Sequence, residues 1–513
     1  MASFQKEINS TNLLFTSISC MVGSGWLLSS YYASSIAGTG ALAAWLIGGI
    51  MILFIAYCFA ELAILLPFSG GIARYSEITH GKLASFLIGW GAWLSCVAAA
   101  PTEVEAVLRY LSDIYPNLVN PINNDIHLSL NGSLVAIVIL AVFTVINLKG
   151  IRLLIKYNRI LAIWKLAIPT IVIILLLPHT QPSVVFEGHQ PWDWPDVFQA
   201  LAEIVVFSFL GFREATSLAA ETKNPRKSMP IAIVGSVLIC TVLYMGLQYV
   251  FLGHNFTVSS LINEHSNGPF TQLAIKLGLT WLAFIIYVDV MINPCGAALM
   301  YTATTSRLTY AMSKMKCAPE RFSALNIHGV PHYSLLFNFI VGIILMLALP
   351  GWKMIVKFQA MCMLFAYLTG PLVYLAVKTT MNSTPNNRLW PHRIYTFITL
   401  FICNILMYWS GWDTIQSIDA SLIIGSLIYY GYAYYHQHPV NESMQALWIV
   451  PHIILISVIS YYGNYEGGHH LLPHGVDALC IAGVSIITMI TAKACQYPDE
   501  QIKLNLKTLI KQG

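Results

Sequence analysis

Apolar runs of about 18–25 residues follow one another from end to end of this chain. Each is long enough to cross a hydrocarbon core of about 30 Å as a helix. Only 10% of the 513 residues are charged and 57% are hydrophobic, whereas a soluble domain carries about 25% charged residues. The chain therefore reads as an all-α polytopic membrane protein with no room for a sizeable soluble domain. The first run begins near residue 11 without a basic leader or a small-residue cleavage site, and so reads as a retained helix.

Fourteen candidate spans follow: 11–36, 41–66, 83–111, 132–148, 159–178, 197–220, 230–252, 273–303, 333–350, 354–378, 394–410, 418–435, 447–462 and 475–493. Lysine and arginine orient them. Of the 27, Lys165 and Arg213 fall inside spans, and Arg109, Lys276, Lys353 and Lys357 sit near odd-to-even connections; the other 21 lie in the N-terminus, the even-to-odd loops and the tail. Both termini are expected on the cytoplasmic side, as an even number of spans requires. Ten cysteines are scattered through apolar runs with no CxxC pair, a pattern of buried neutral thiols rather than of disulfides or zinc ligands. His469, His470 and His474 read as a solvated outside loop rather than a metal site, and no cofactor is expected. The tail 494–513 reads as a short amphipathic, solvated segment.

Within span one, Val22-Gly23-Ser24-Gly25-Trp26 interrupts the apolar run. Glycine costs about 1 kcal/mol against alanine in a helix interior. In lipid, broken backbone survives only where protein buries it or a cavity wets it. The stretch is thus either a close helix–helix contact, which small residues also mark, or the floor of a ligand cavity. Span six carries a second candidate break, Phe207-Ser208-Phe209-Leu210-Gly211-Phe212-Arg213-Glu214. Five spans on, that helix runs in the opposite direction. Paired breaks of this kind are expected of an inverted repeat of five plus five helices, with discontinuous helices 1 and 6 meeting at the midplane.

Four stretches, in order, resemble the permeases of the amino acid–polyamine–organocation superfamily. Gly23-Ser24-Gly25-Trp26 is similar to the Gly-Ser-Gly-Ile-Phe signature of helix one. Pro67-Phe68-Ser69-Gly70-Gly71-Ile72-Ala73-Arg74-Tyr75 resembles the turn after helix two. Phe209-Leu210-Gly211-Phe212 with Glu221-Thr222-Lys223-Asn224-Pro225 and Pro230 resembles helix six and the loop after it. Thr304 to Met312, with Pro319 and Pro331, resembles the end of helix eight. The Gly-Phe-Arg variant is similar to a bacterial subgroup that includes aspartate–proton symporters. The resemblance covers about residues 10–380 and implies a LeuT-type core at 1–380, with halves at about 11–178 and 197–378. Four further helices (381–493) and a cytoplasmic tail (494–513) complete the expected organisation.

Such a permease would hold an amino acid's α-carboxylate on the backbone N–H groups of Gly23, Ser24 and Gly25, beside Trp26, at a helix N-terminus. Carbonyls around Cys20 to Val22 and Phe207 to Ser208 would accept from the α-ammonium. Phe209 or Phe212, flanking Gly211, would close over the substrate, with ordinary packing the alternative for either ring. Lys165 would stand where sodium-coupled relatives bind a cation; the alternative is snorkelling to the nearby interface. A buried lysine can load and release a proton, which favours proton over sodium coupling. Glu103, Glu105, Glu203 and Asp289 are proton-relay candidates, or partners of Arg109 or Arg213. Arg213 stands where the family commonly has an acidic residue. It would select an acidic side chain by bidentate pairing, or pair internally with Glu214 or Glu105.

No GxxxxGK[ST] or HExxH pattern and no repeated filter motif occurs, which argues against an ATP-driven pump, a membrane enzyme and a channel. The expected function is secondary active transport of amino acids across the cytoplasmic (inner) membrane by proton-coupled symport, with acidic amino acids as candidate substrates. Exchange and a non-transporting sensor are the alternatives. The expected partners are the substrate, protons and the lipid bilayer, with no nucleic acid.

Overall fold

The computed structural model describes residues 8–66, 71–122, 125–149, 152–187, 192–219, 222–254, 268–381, 390–435, 443–473 and 475–512. Pro67 to Gly70 of the turn motif, Glu221 and His474 lie outside the described residues. The described chain is nearly all helix, and its one sheet is the antiparallel hairpin Val119–Ile122 with Asp125–Leu128.

Several helices begin where the sequence supplies a cap. Asn9 accepts from the Asn12 N–H at 2.9 Å ahead of Ser10–Met21, and Ser129 accepts from the Gly132 N–H at 3.0 Å ahead of Leu130–Leu148. Pro225 and Pro269 open Pro225–Leu252 and Pro269–Lys276, a position where the missing N–H would be unpaired anyway. Gly71–Leu111 changes course at Gly81, whose φ of 74° is a left-handed conformation that glycine takes freely. A short leading piece thereby precedes the long third span.

Ten described helices are long and apolar enough to cross a membrane, or eleven if Trp390–Trp409 and Trp412–Tyr435, bent by 109°, form one span. That is fewer than the fourteen expected from the apolar runs. One reason is that Ser24–Leu65 joins the second half of span one to span two in a 42-residue stretch. Another is that His332–Ala348, at 17 residues, is short.

Burial orders the bundle. The most apolar windows of Trp352–Met381 and Gly71–Leu111 are 100% and 94% buried, against 33% and 28% for Leu130–Leu148 and Val476–Cys495. Spans three and ten therefore form the centre. The outer helices present bare aliphatic side chains such as Val138, Ile174, Ile344, Leu427 and Ile454. Water would not tolerate so continuous an apolar surface. Lipid is its solvent, and the chain is a multi-pass membrane protein.

Ser10–Met21 packs against Pro225–Leu252, Arg152–Leu176 and the Leu210–Arg213 turn of span six. Thr280–Lys314 and Trp352–Tyr367 lie along Gly71–Leu111. The last four helices pack on one another and against spans two, three and ten. The tail helix Asp499–Gln512 departs from expectation, because it is docked rather than solvated. Ile502 and Leu506 are buried, Asn505 donates to the Ile78 carbonyl at 3.1 Å, and Thr380 donates to Asp499 at 3.0 Å. Its apolar edge has found a protein surface to cover.

Candidate functional site

Span one is two half-helices. The first, Ser10–Met21, ends when the Val22 N–H bonds to the Ile18 carbonyl at 2.8 Å and Val22 turns extended. The second, Ser24–Ala37, begins after Gly23. A helix end leaves carbonyls without partners, and a helix start leaves N–H groups without partners. Here both sets lie deep in the bundle, so other parts of the chain must satisfy them.

Side chains from three spans do so for the carbonyls. Lys165 Nζ donates to the Ser19 and Val22 carbonyls at 2.8 and 3.0 Å. Tyr301 donates to the Cys20 carbonyl at 2.7 Å, and Tyr244 to the Met21 carbonyl at 2.8 Å. Lys165 is fully buried and so does not snorkel. Its ammonium sits at a helix C-terminus, where the aligned peptide dipoles favour a cation.

At the start of the second half-helix, the Ser24 N–H donates to Glu103 Oε2 at 2.6 Å. A charge-assisted bond of this length contributes about 1.5–3 kcal/mol, and the helix N-terminus favours the anion. Gly23 makes the approach possible, since a Cβ there would stand 2.5 and 2.8 Å from the two Glu103 oxygens. Glu103 and Lys165 also interact electrostatically across the break. Together they present a carboxylate and an ammonium to the two backbone ends, as the head group of an amino acid would. Glu105 is buried too, but two residues of helix turn it about 200° away from Glu103.

The Ser24 hydroxyl accepts from Trp352 Nε1 at 3.1 Å. Trp352 stacks on Tyr32 with ring centroids 5.3 Å apart and meets Phe207 edge-on at 5.5 Å. Arg109 lies over the rings of Tyr31 and Tyr32 and donates to the Tyr32 hydroxyl. Trp26 points to span eight, where its indole donates to Asp289 at 3.1 Å, and Trp164 and Asn293 donate to the same carboxylate at 2.8 and 3.3 Å.

Span six corrects an expectation. It is not discontinuous: Trp194–Ala200 passes into a wide π-helical stretch, Leu201–Val205, then a short α-helical turn, Val206–Phe209, then tight 3-10 winding over Leu210–Arg213. The Phe207 carbonyl accepts from the Leu210 N–H, so the backbone stays bonded by changing pitch. Neither set of carbonyls predicted to receive an ammonium is without a partner. The Ser208 carbonyl accepts from Tyr244 at 3.3 Å. Gly211 serves the crossing itself, since a Cβ there would enter the backbone of Cys20 and Met21. Gly25 faces the Ser208 hydroxyl. Phe209 packs against Trp45 and Tyr244, and Phe212 against Phe59 and Tyr367, all as core aromatics. Arg213 pairs internally with Glu214 at 2.9 Å and reaches Cys96 Sγ at 3.0 Å.

The sequence reading missed Tyr244, Tyr301 and Trp352. Tyr244 lies well inside span 230–252, and a tyrosine there is a signal, because its hydroxyl needs a partner in lipid. At the far end of span six, the fully buried Glu203 holds Lys357 at 3.1 Å and Lys353 at 3.4 Å, and Lys357 also pairs with Glu466 from the loop before Val476–Cys495. His469 packs on Tyr461.

A sequence profile of the family described as amino acid permease matches residues 8–459. The glutamate/serine transporter AimA of Bacillus subtilis is 32% identical over 98% of this chain and 96% of its own length. An aspartate-proton symporter of the same organism is 28% identical over 98% of both chains. The branched-chain amino acid permease BcaP, also from Bacillus subtilis, is 24% identical over 85% of this chain and 94% of its own.

Proposed function

Because this chain belongs to the amino acid permease family, whose members move amino acids across membranes, we propose that it is a proton-coupled symporter of acidic and small amino acids in the bacterial inner membrane. The observation that carries the reading is the break in span one. Both of its backbone ends are held by titratable side chains, Lys165 on one half-helix and Glu103 on the other. A proton gained or lost at either group changes the grip on a half-helix, which is what coupling to a proton gradient requires.

In this reading the core is 1–380, with inversely related halves at 11–178 and 197–378, followed by four further helices (381–493) and a cytoplasmic tail (494–513). Fourteen crossings put both termini in the cytoplasm, in keeping with the Lys and Arg bias. The substrate's α-carboxylate docks on the N–H groups of Gly23, Ser24 and Gly25. Its ammonium shares the carbonyls of Cys20 to Val22 and Phe207 to Ser208, each of which has a second lone pair. Trp26, Phe209, Gly211 and Phe212 shape the walls. Lys165, Glu103, Glu105 and Asp289 carry or steer the proton. Arg213 exchanges Glu214 for the side-chain carboxylate of an acidic substrate. Relatives that carry glutamate, serine or aspartate in their names support that specificity.

Uptake of radiolabelled L-glutamate, L-aspartate and L-serine into proteoliposomes tests the proposal. Accumulation driven by an inward acid gradient and abolished by a protonophore is expected. Sodium dependence overturns proton coupling, and counterflow without gradient-driven accumulation overturns symport. Arg213→Ala should lower glutamate and aspartate uptake at least about tenfold more than serine uptake, corresponding to about 1.4 kcal/mol of selective binding. An equal effect on all three removes Arg213 from selectivity.

A further inference from the structure

The anion seat of the span-one break is already taken, and by the protein itself. The Ser24 N–H, first of the second half-helix, donates to the Glu103 carboxylate at 2.6 Å, and the missing side chain of Gly23 leaves the space that this carboxylate fills. Glu103 is buried and comes from span three, two residues after Pro101 within the helix Gly71–Leu111. A substrate carboxylate directed to the same N–H groups cannot bind while Glu103 is there. Two carboxylates in one buried seat repel one another, and the seat has N–H groups for one.

We propose that Glu103 is a resident competitor for the substrate's α-carboxylate, and that protonation of Glu103 vacates the seat for the substrate. This rests on the substrate site proposed above and adds how the proton and the substrate are linked. An ionised Glu103 accepts strongly from the helix N-terminus. A protonated one is a neutral, weaker acceptor that no longer answers the dipole. The incoming anion restores the charge that the proton removed, so proton and amino acid enter as a pair. Binding of each favours the other by the same factor, and that is the thermodynamic content of symport.

The groups that act electrostatically on Glu103 come from four spans: Cys20 from span one, Lys165 from span five, Tyr244 from span seven, and Cys295 and Tyr301 from span eight. Thiols and phenols are largely neutral between pH 6 and 8. That leaves Lys165, which also feels Asp289, as the other charge that could impose a pH dependence. Replacing Glu103 while keeping Lys165 separates the two.

The test is L-glutamate counterflow with purified full-length protein in proteoliposomes, with KM measured from pH 6 to 8. Over this range the substrate's own groups keep their charge. The wild type should bind more tightly as pH falls, by up to about tenfold per unit for a single proton. Glu103→Gln should bind at every pH about as tightly as the wild type does at pH 6. It should retain counterflow and lose gradient-driven accumulation. Glu103→Asp, whose shorter side chain seats less well, should bind more tightly than the wild type at pH 8 and keep a pH dependence. The proposal is overturned if Glu103→Gln keeps the wild-type pH dependence, or if both variants bind more weakly than the wild type at pH 8. Absence of counterflow by the wild type would instead count against the substrate site itself.

Discussion

Spans one and six cross at Cys20, Met21 and Gly211 and answer the same problem in different ways. A polar backbone interrupted in lipid must find new partners. In span one the helical bonding stops at Val22 and Gly23, and side chains from spans three, five, seven and eight take its place. In span six the backbone never lets go. It widens at Leu201–Val205, tightens at Leu210–Arg213 and keeps its own bonds. The first solution depends on two ionisable side chains, Lys165 and Glu103, and on two tyrosines. The second is fixed by pitch.

The largest effect that would test this contrast comes from Lys165. Lys165→Met should leave the Ser19 and Val22 carbonyls without a donor and Glu103 without its counter-charge. Breaking a buried pair in this way costs about 3–5 kcal/mol. Gradient-driven uptake should vanish and the thermal midpoint in detergent should fall clearly. Near-normal uptake would mean that the span-one break is held by something else. Tyrosine hydroxyls give a finer comparison. Tyr244→Phe removes the donor to the Met21 and Ser208 carbonyls, whereas Tyr367→Phe removes only a 3.4 Å bond to the Leu210 carbonyl of span six. The first should cost about 1–3 kcal/mol and the second well under 1. Equal shifts in thermal midpoint would erase the distinction between the two spans. The smallest effect belongs to Glu466, which is 40% exposed at its side chain and leaves Lys357 still paired with Glu203 when neutralised. Glu466→Gln should change stability by no more than about 1 kcal/mol and leave uptake intact. A large loss of uptake would tie the last helices to the transport cycle.

Much of the architecture was legible along the chain. Apolar length marked the helices, and the Gly-Ser-Gly stretch marked the break in span one. Lys165 and Glu103 were visible as charges in apolar runs. Span six misled, because a glycine beside Arg213 and Glu214 looks alike whether the backbone is severed or merely rewound. Gly211 proved to be the packing glycine that small residues in membranes often are, and Arg213 has an internal partner in Glu214.

The sequence by itself determined that this is a multi-pass helical membrane protein of the amino acid permease family whose first span is interrupted by Gly23-Ser24-Gly25. Those properties depend on composition, run length and short motifs, which are local. Only the tertiary structure decided what fills the break. Glu103, Lys165 and Tyr301 reach Ser24, Val22 and Cys20 across 79, 143 and 281 residues of chain. No periodicity encodes a meeting at that separation. It follows from which helices pack together, and the unpaired backbone groups at the break then recruit whatever donor or acceptor the packing delivers.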